Sequence, residues 1–293
     1  MLPKSVLKKI SQICAHFFWK GNNTNSKGAR VSWQTICYPK AEGGLGLKDV
    51  LSWNHACMLH HLRSIFAKAG SLWIAWLYAY VLKGRSVWQI EEPQNGNRCW
   101  RKILQLRDSA RQFIVLENGV EVWNRTITSI SNIWKELKPQ KERVTWHRLV
   151  WSYLSIPKHD VITWMAILNR LPTMDRLMAW GIGVGGTCKL CLDEMESREH
   201  MFFGCLYSRS IWEVILTKCG IKRKIGSWTE KLEWAIQHLK GKSMKSTIMR
   251  IAWKAFIYCI WRERNNRVHN NASETAVQVF EPSKRLYVSK WRI

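Results

Sequence analysis

The sequence has 293 residues, of which 46% are hydrophobic, so it can bury one large core or two smaller ones. Its 46 Lys and Arg against 21 Asp and Glu leave a formal charge of +25, which points to a polyanionic partner, nucleic acid before all others. No apolar run reaches the roughly 18 residues of a membrane helix, the opening MLPKSVLKKISQICAHFFWKGN shows no signal peptide, and nine cysteines fit poorly with a pure disulfide framework. A membrane partner and secretion are therefore set aside, and a nuclear or cytoplasmic protein with reduced thiols is expected.

The fold class read from the pattern is mainly α. Residues 1–50 carry eight Lys/Arg against Glu42 and Asp49, net +6. EGGLG at 42–46 lacks the lysine and Ser/Thr of a phosphate loop and reads as a turn. NHACMLHHLRSIFAKAGSLWIAWLYAYVL reads as helix broken near Gly70, and His60-His61 on it has no second metal-spaced partner. QFIVLENGVEVWN predicts a short hairpin near 113–123, turning at Asn118-Gly119. The polar KELKPQKERV, 135–144, with Pro139, marks a boundary.

Beyond it Asp160 can cap VITWMAILNR, with Ile162, Met165, Ala166 and Asn169 on one face. Thr173 can cap MDRLMAW, which Gly181 ends. Ser208 can start RSIWEVILTKCG, which ends at Gly220. STIMRIAWKAFIYCIWRERNNR predicts a longer helix with Ile248, Ala252, Phe256 and Ile260 in register, and from about Asn265 the polar tail reads as loosely ordered. Of the 19 tryptophans most are expected in the core, with a few near Lys and Arg able to stack on unpaired bases. Residues 218–250 hold nine Lys/Arg against Glu230 and Glu233, net +7; Lys218, Lys222, Arg223, Lys224, Lys242 and Lys245 are the expected phosphate contacts to RNA or DNA.

CKLCLDEMESREHMFFGC, 188–205, has the spacing Cys188-x2-Cys191-x8-His200-x4-Cys205. Three thiolates and an imidazole make a closed tetrahedral zinc site with no open position for catalysis, the first Cys pair forming the tight knuckle such sites use. The competing readings are four reduced side chains beside a turn, and a redox CxxC, which the lack of a βαβ pattern disfavours. Met201, Phe202 and Phe203 would shield the metal; Cys14, Cys37, Cys57, Cys99, Cys219 and Cys259 read as core, Cys219 being also a spare ligand candidate. Residues 181–215 are themselves net −2, so phosphate contacts would come from their neighbours.

The run VWSYLSIPKHDVITWMAILNRLPTMDRLMAWGI, then CKLC, EHMFFGC and SRSIW in that order, resembles the reverse transcriptase zinc-binding domain of plant LINE-type retrotransposons over about 144–215. Upstream, FFWKGN and VSWQTICYPKAEGGLGLKDVLSWNHACMLHHL resemble the stretch behind the polymerase core of the same polyproteins; downstream, AWKAFIYCIWRERNNRVHN resembles the connector that precedes an RNase H domain. The resemblance implies a post-polymerase, thumb-like helical region at 1–135, a zinc-binding domain at 144–215 and a basic helical connector and tail at 216–293. It implies that Cys188, Cys191, His200 and Cys205 hold Zn, and that the partners are RNA or DNA and other retroelement proteins. The aromatic-x-Asp-Asp of such polymerases is missing, as the sequence contains no Asp-Asp. The expectation is a non-enzymatic nucleic-acid-binding fragment; the alternatives are a protein-interaction scaffold and a decayed relic without a nucleic-acid role.

Overall fold

In the computed structural model, which describes residues 2–20, 30–92, 98–138, 141–223, 226–276, 278 and 279, the chain divides into two units. Unit 1 comprises Met1–Pro39 with Gly44–Glu142; unit 2 comprises Lys40–Gly43 with Arg143–Ile293. Pro139 of the expected boundary lies outside the described residues. The fold is mainly helical, as the periodicity predicts.

Unit 1 is assembled on α3. Helices α1 (Lys4–Lys20) and α2 (Trp33–Cys37) precede it; α3 spans Val50–Phe66 and begins where the Asp49 carboxylate accepts the Ser52 N–H at 2.8 Å. Its buried stripe of Ala56, Met58, Leu59, Leu62 and Ile65 is the centre of the unit's core. The break expected at Gly70 is real. Ser71 caps a new helix, α4 (Leu72–Trp76), which runs on as a π-helical turn, Leu77–Leu82. Helices α5 (Arg98–Gln105) and α6 (Arg107–Ala110) follow; the Arg107 guanidinium donates to the carbonyls of Val87, Trp88 and Ile90 and pins that stretch to α6. The hairpin forms where it is predicted: β1 (Ile114–Glu117) pairs antiparallel with β2 (Val120–Trp123). Asn118 and Gly119 both take positive φ, +52° and +78°, the requirement of a two-residue hairpin turn that Asn-Gly meets at least cost. Helix α7 (Ile130–Leu137) closes the core with Ile133 and Trp134, whose indole N–H reaches Ser52 Oγ at 2.9 Å.

EGGLG is a turn, as expected, and its glycines are there for space as well as conformation. A side chain at Gly44 would meet the Tyr38 carbonyl oxygen at 2.0 Å. Gly43, at φ +90°, offers its carbonyl to the fully buried Trp164 indole at 2.8 Å within unit 2.

Unit 2 contains α8 (His147–Val150), α9 (Pro157–Ile167), α10 (Met174–Ala179), α11 (Leu206–Lys218), α12 (Trp228–His238) and the 26-residue α13 (Met244–His269). Its centre is aromatic: Phe203 packs against Trp212, Trp228, Trp253 and Phe256 with ring centroids 5.5–5.8 Å apart, distances at which edge-on and offset rings attract. Fewer tryptophans are core than expected: Trp123, Trp134, Trp164, Trp212, Trp228, Trp253 and Trp261 are buried, Trp73, Trp76 and Trp180 are exposed, and the other described ones are half-buried.

Several local expectations are corrected. Asp160 is not a cap: α9 starts at Pro157, whose missing N–H suits the first helical position, and Asp160 lies buried in the first turn, ion-paired with Lys254 at 2.8 Å. Ser208 does not start α11; Cys205 holds the N-cap, and the Ser208 hydroxyl donates to the Met201 carbonyl at 2.6 Å. Thr173 and Gly181 (φ +74°) do bound α10, and Gly220 (φ +64°) follows α11. In α13 the inward stripe is Met249, Trp253, Phe256, Ile257 and Ile260; Ile248 faces solvent. Residues 265–269, expected to be loose, complete that helix. Cys37 and Cys259 are buried, Cys14, Cys57 and Cys219 half-buried, and Cys99 is exposed, not core.

Candidate metal centre

The knuckle lies between α10 and α11. An isolated antiparallel bridge joins Thr187 to Met195, and the Cys188 N–H donates to the Glu194 carbonyl at 2.8 Å. Between them the chain reverses through Leu192 at φ +62°, whose N–H closes on the Cys188 carbonyl at 2.8 Å. This reversal is what turns Cys188 and Cys191 toward one centre.

The second pair comes from a π-helical turn, His200–Gly204, that runs into α11. There the Cys205 N–H donates to the His200 carbonyl at 2.6 Å, so the imidazole and the third thiol return to the same side. The ligand atoms of Cys188, Cys191, His200 and Cys205 all lie within 4.8 Å of one another. A tetrahedron with metal–ligand bonds of about 2.0–2.3 Å needs separations of roughly 3.5–3.8 Å, so a small inward movement closes the shell. Cys188, His200 and Cys205 are buried and Cys191 half-buried. The four residues can hold a metal ion.

The electrostatics suit a cation. Cys205 sits at the N-terminus of α11; a hydrogen bond from Cys188, and the backbone N–H groups of Ser208 and Tyr207, hold its thiol below the ordinary value against the effect of burial. The Cys188 thiol, which shares that bond and is buried, is pushed up. A metal would take both sulfurs as thiolates and displace their protons. The imidazole is oriented as a ligand should be. Nδ1 is 3.0 Å from the Glu194 carboxylate and Nε2 is 3.2 Å from Cys191 Sγ. With Nδ1–H donated to Glu194, the Nε2 lone pair faces the sulfurs.

Glu194 was not singled out by spacing, because its part depends on the reversal at Leu192. Two arginines of α13 also escape a sequence reading. Arg267 donates to the carbonyls of Lys189 and Leu190, inside the first Cys pair, at 3.3 and 2.9 Å. Arg264 holds Glu196 through contacts of 2.7, 3.0 and 3.1 Å, with both side chains buried. Their signal is only an i,i+3 arginine pair on a helix some 70 residues later.

Of the basic residues selected from sequence, Lys218, Lys222, Lys242 and Lys245 are exposed, at the end of α11, in the loop behind it and around the start of α13. Lys245 is near enough to Cys219 to oppose the burial that raises that thiol. Arg223 is half-buried with its guanidinium 4.9 Å from the centre of the Trp234 ring; Lys224 lies outside the described residues. Cys219 caps the C-terminus of α11 and is not among the clustered ligands. Met201, Phe202 and Phe203 are buried, and Phe202 and Phe203 pack against Trp228 and Trp253 in the aromatic core. Among the described residues, no helix is long and apolar enough to cross a membrane.

Residues 129–212 match the family described as zinc-binding in reverse transcriptase, and the clustered ligands lie inside that stretch. A protein of Arabidopsis thaliana named provisionally as a ribonuclease H protein is 31% identical over 112 residues, which are 37% of this chain and 18% of that one. The chain thus spans about a fifth of the relative's length. No solved structure matches the chain.

Proposed function

We propose that this chain is a zinc-stabilised nucleic-acid-binding part of a retrotransposon reverse transcriptase. The observation that carries the reading is the convergence of three thiols and one imidazole in a segment that matches the reverse-transcriptase zinc-binding family. The donor set fits zinc. When bound, the ion would supply a rigid four-way crosslink and no open coordination position. The chain's own residues do the rest: Glu194 orients His200, and the α11 N-terminus favours the Cys205 thiolate. The charge of +25 supports a polyanionic partner, with Lys218, Lys222, Lys224, Lys242 and Lys245 as its phosphate contacts and Arg223 bracing Trp234 beside them.

The relative's name is not carried over as an activity, since the aligned stretch is 18% of it. The matched family is a zinc-binding domain and the sequence has no Asp-Asp; we therefore read the chain as lacking polymerase, endonuclease and RNase H activity of its own. A magnesium-dependent primer-extension or nuclease activity that survives stringent purification refutes this.

The test of the main reading is elemental analysis of the full chain with Cys188→Ser and Cys205→Ser alongside, followed by oligonucleotide binding against salt. One zinc per chain, lost in both variants, and a log–log salt slope of about −0.9 per phosphate contacted on duplex DNA are expected. A folded, zinc-free wild type or a flat salt response overturns it. The scaffold reading has one observation in its favour: α1 leaves Val6, Ile13 and Phe17 exposed. A protein partner that survives nuclease treatment and is lost in Phe17→Glu would support it.

A further inference from the structure

Helix α4 and its π-helical continuation depart from the usual pattern of a surface helix. One face enters the core of unit 1 through Ile74, Leu77 and Leu82. The opposite face has no charged side chain on it; Leu72, Trp73, Trp76 and Tyr80 stand there, with Leu72, Trp76 and Tyr80 92%, 52% and 67% exposed. A soluble protein keeps a contiguous apolar patch of this kind chiefly for contact with something else, and π-helical turns gather at functional sites.

The rings are arranged. Trp76 and Tyr80 lie nearly parallel, 27° apart, with centroids 6.2 Å from each other. Trp73 meets His61 edge-on at 6.0 Å. The backbone beneath them is fixed, since Leu77 and Leu82 are buried and the Tyr78 hydroxyl donates to the Ile65 carbonyl at 2.9 Å.

The charge around the rings is of one sign. Between Asp49 and Glu91 the sequence has no Asp or Glu, while Arg63, Lys68, Lys83 and Arg85 lie there. Among the described residues none of these four is in an ion pair. Lys68, Lys83 and Arg85 are exposed beside the two ends of the ringed helix. Flat π-faces inside an uncompensated cationic frame complement a polymer of flat rings on an anionic backbone.

We propose that Trp73, Trp76 and Tyr80 form a stacking platform for unpaired bases of a single-stranded nucleic acid, with Lys68, Lys83 and Arg85 meeting its phosphates. This rests on the nucleic-acid reading above and gives it a site in unit 1, separate in sequence from the cysteines. Stacking accepts any base, so the platform selects unpaired strands over duplex without selecting sequence.

The test uses the full chain, fluorescein-labelled oligo(U) and oligo(dT) of about 20 nucleotides, longer than a typical single-strand site, and a duplex of the same length. Trp76→Ala and Tyr80→Ala, at exposed positions, are each expected to weaken single-strand binding about 5- to 100-fold, with duplex binding and melting temperature held. Trp76→Phe is expected to recover most of the affinity, and Lys83→Ala with Arg85→Ala to flatten the salt slope. If wild type binds single strands and the alanine variants bind as well, the platform is wrong and the nucleic-acid reading stands. If wild type binds neither strand nor duplex, both fall. Variants that lose self-association in sedimentation, or lose binding to vesicles of anionic lipid, with oligonucleotide affinity unchanged, assign the face to a second copy or to a lipid surface and overturn the proposal.

Discussion

Glu196 and Arg264 make the sharpest test of how the knuckle is held. Glu196 is fully buried, Arg264 nearly so, and three contacts of 2.7–3.1 Å join them. Glu196 also accepts the Met174 N–H at 3.0 Å, at the first turn of α10. Glu196→Met removes the charge, leaving a guanidinium buried without its carboxylate. Arg264→Met leaves a buried carboxylate with the Met174 N–H as its remaining donor among these contacts. Breaking such a pair from one side costs about 3–5 kcal/mol, whereas replacing both partners with apolar side chains is close to neutral. Against a total stability of about 5–15 kcal/mol, each single variant loses a large fraction. Divided by a urea m-value of about 1–3 kcal/mol/M, the midpoint should fall by at least about 1 M. The double variant, Glu196→Met with Arg264→Met, should return most of that, giving a coupling near the summed cost of the two single variants. Urea denaturation followed by tryptophan fluorescence measures all four corners of the cycle. Single variants that cost under about 1 kcal/mol, or a double that costs the sum of the singles, would refute the assignment of the pair as buried and mutually dependent.

Three further outcomes follow from the same reasoning. Gly44→Ala should cost more than about 2 kcal/mol, because its Cβ would meet two backbone oxygens, Tyr38 at 2.0 Å and Thr35 at 2.6 Å; Gly46→Ala, at φ +77° in open space, should cost only about 1–2 kcal/mol, and thermal melts that rank them the other way reject this. Trp164→Phe should lose about 1–3 kcal/mol in urea, since it strands the Gly43 carbonyl; an unchanged midpoint would show that this hydrogen bond contributes nothing net. Burial, with Arg223 nearby and Glu230 opposing, lowers Lys231 from 10.5 to about 8, so between those values the unfolded chain binds more protons than the folded one. Stability relative to Lys231→Met should therefore rise from pH 8 toward 10.5, and a difference that stays flat or falls excludes a depressed ammonium.

What the sequence made legible was short in range. The Asn-Gly turn, the break at Gly70, the glycine ends after α10 and α11, and the Cys-x2-Cys knuckle all depend on residues within a few positions of each other. Where the outcome depended on distant chain, the reading missed. Asp160 looks like a cap until Lys254, 94 residues on, claims it. Ile248 falls in a sound helical register, yet the inward stripe of α13 opens on Met249 and Trp253 before it meets the expected Phe256 and Ile260. Ser208 is a better N-cap by composition than Cys205, but the return of the chain from the knuckle starts the helix earlier. The clustering of the three thiols and the imidazole was readable because metal spacing is local; the grip of Arg264 and Arg267 on that segment was not.

That grip reaches outside the family's own limits. The matched segment ends at residue 212, while the arginines and two of the five rings of the aromatic cluster, Trp253 and Phe256, belong to α13, which begins at Met244. A nascent chain leaving the ribosome would expose its cysteines before the helix that seats them had been made. During that interval the knuckle would have only its own local hydrogen bonds to hold its thiols in place. A chain truncated between 212 and 244 would stay in that condition and be open to proteolytic clearance, even though all four residues of the cluster were present.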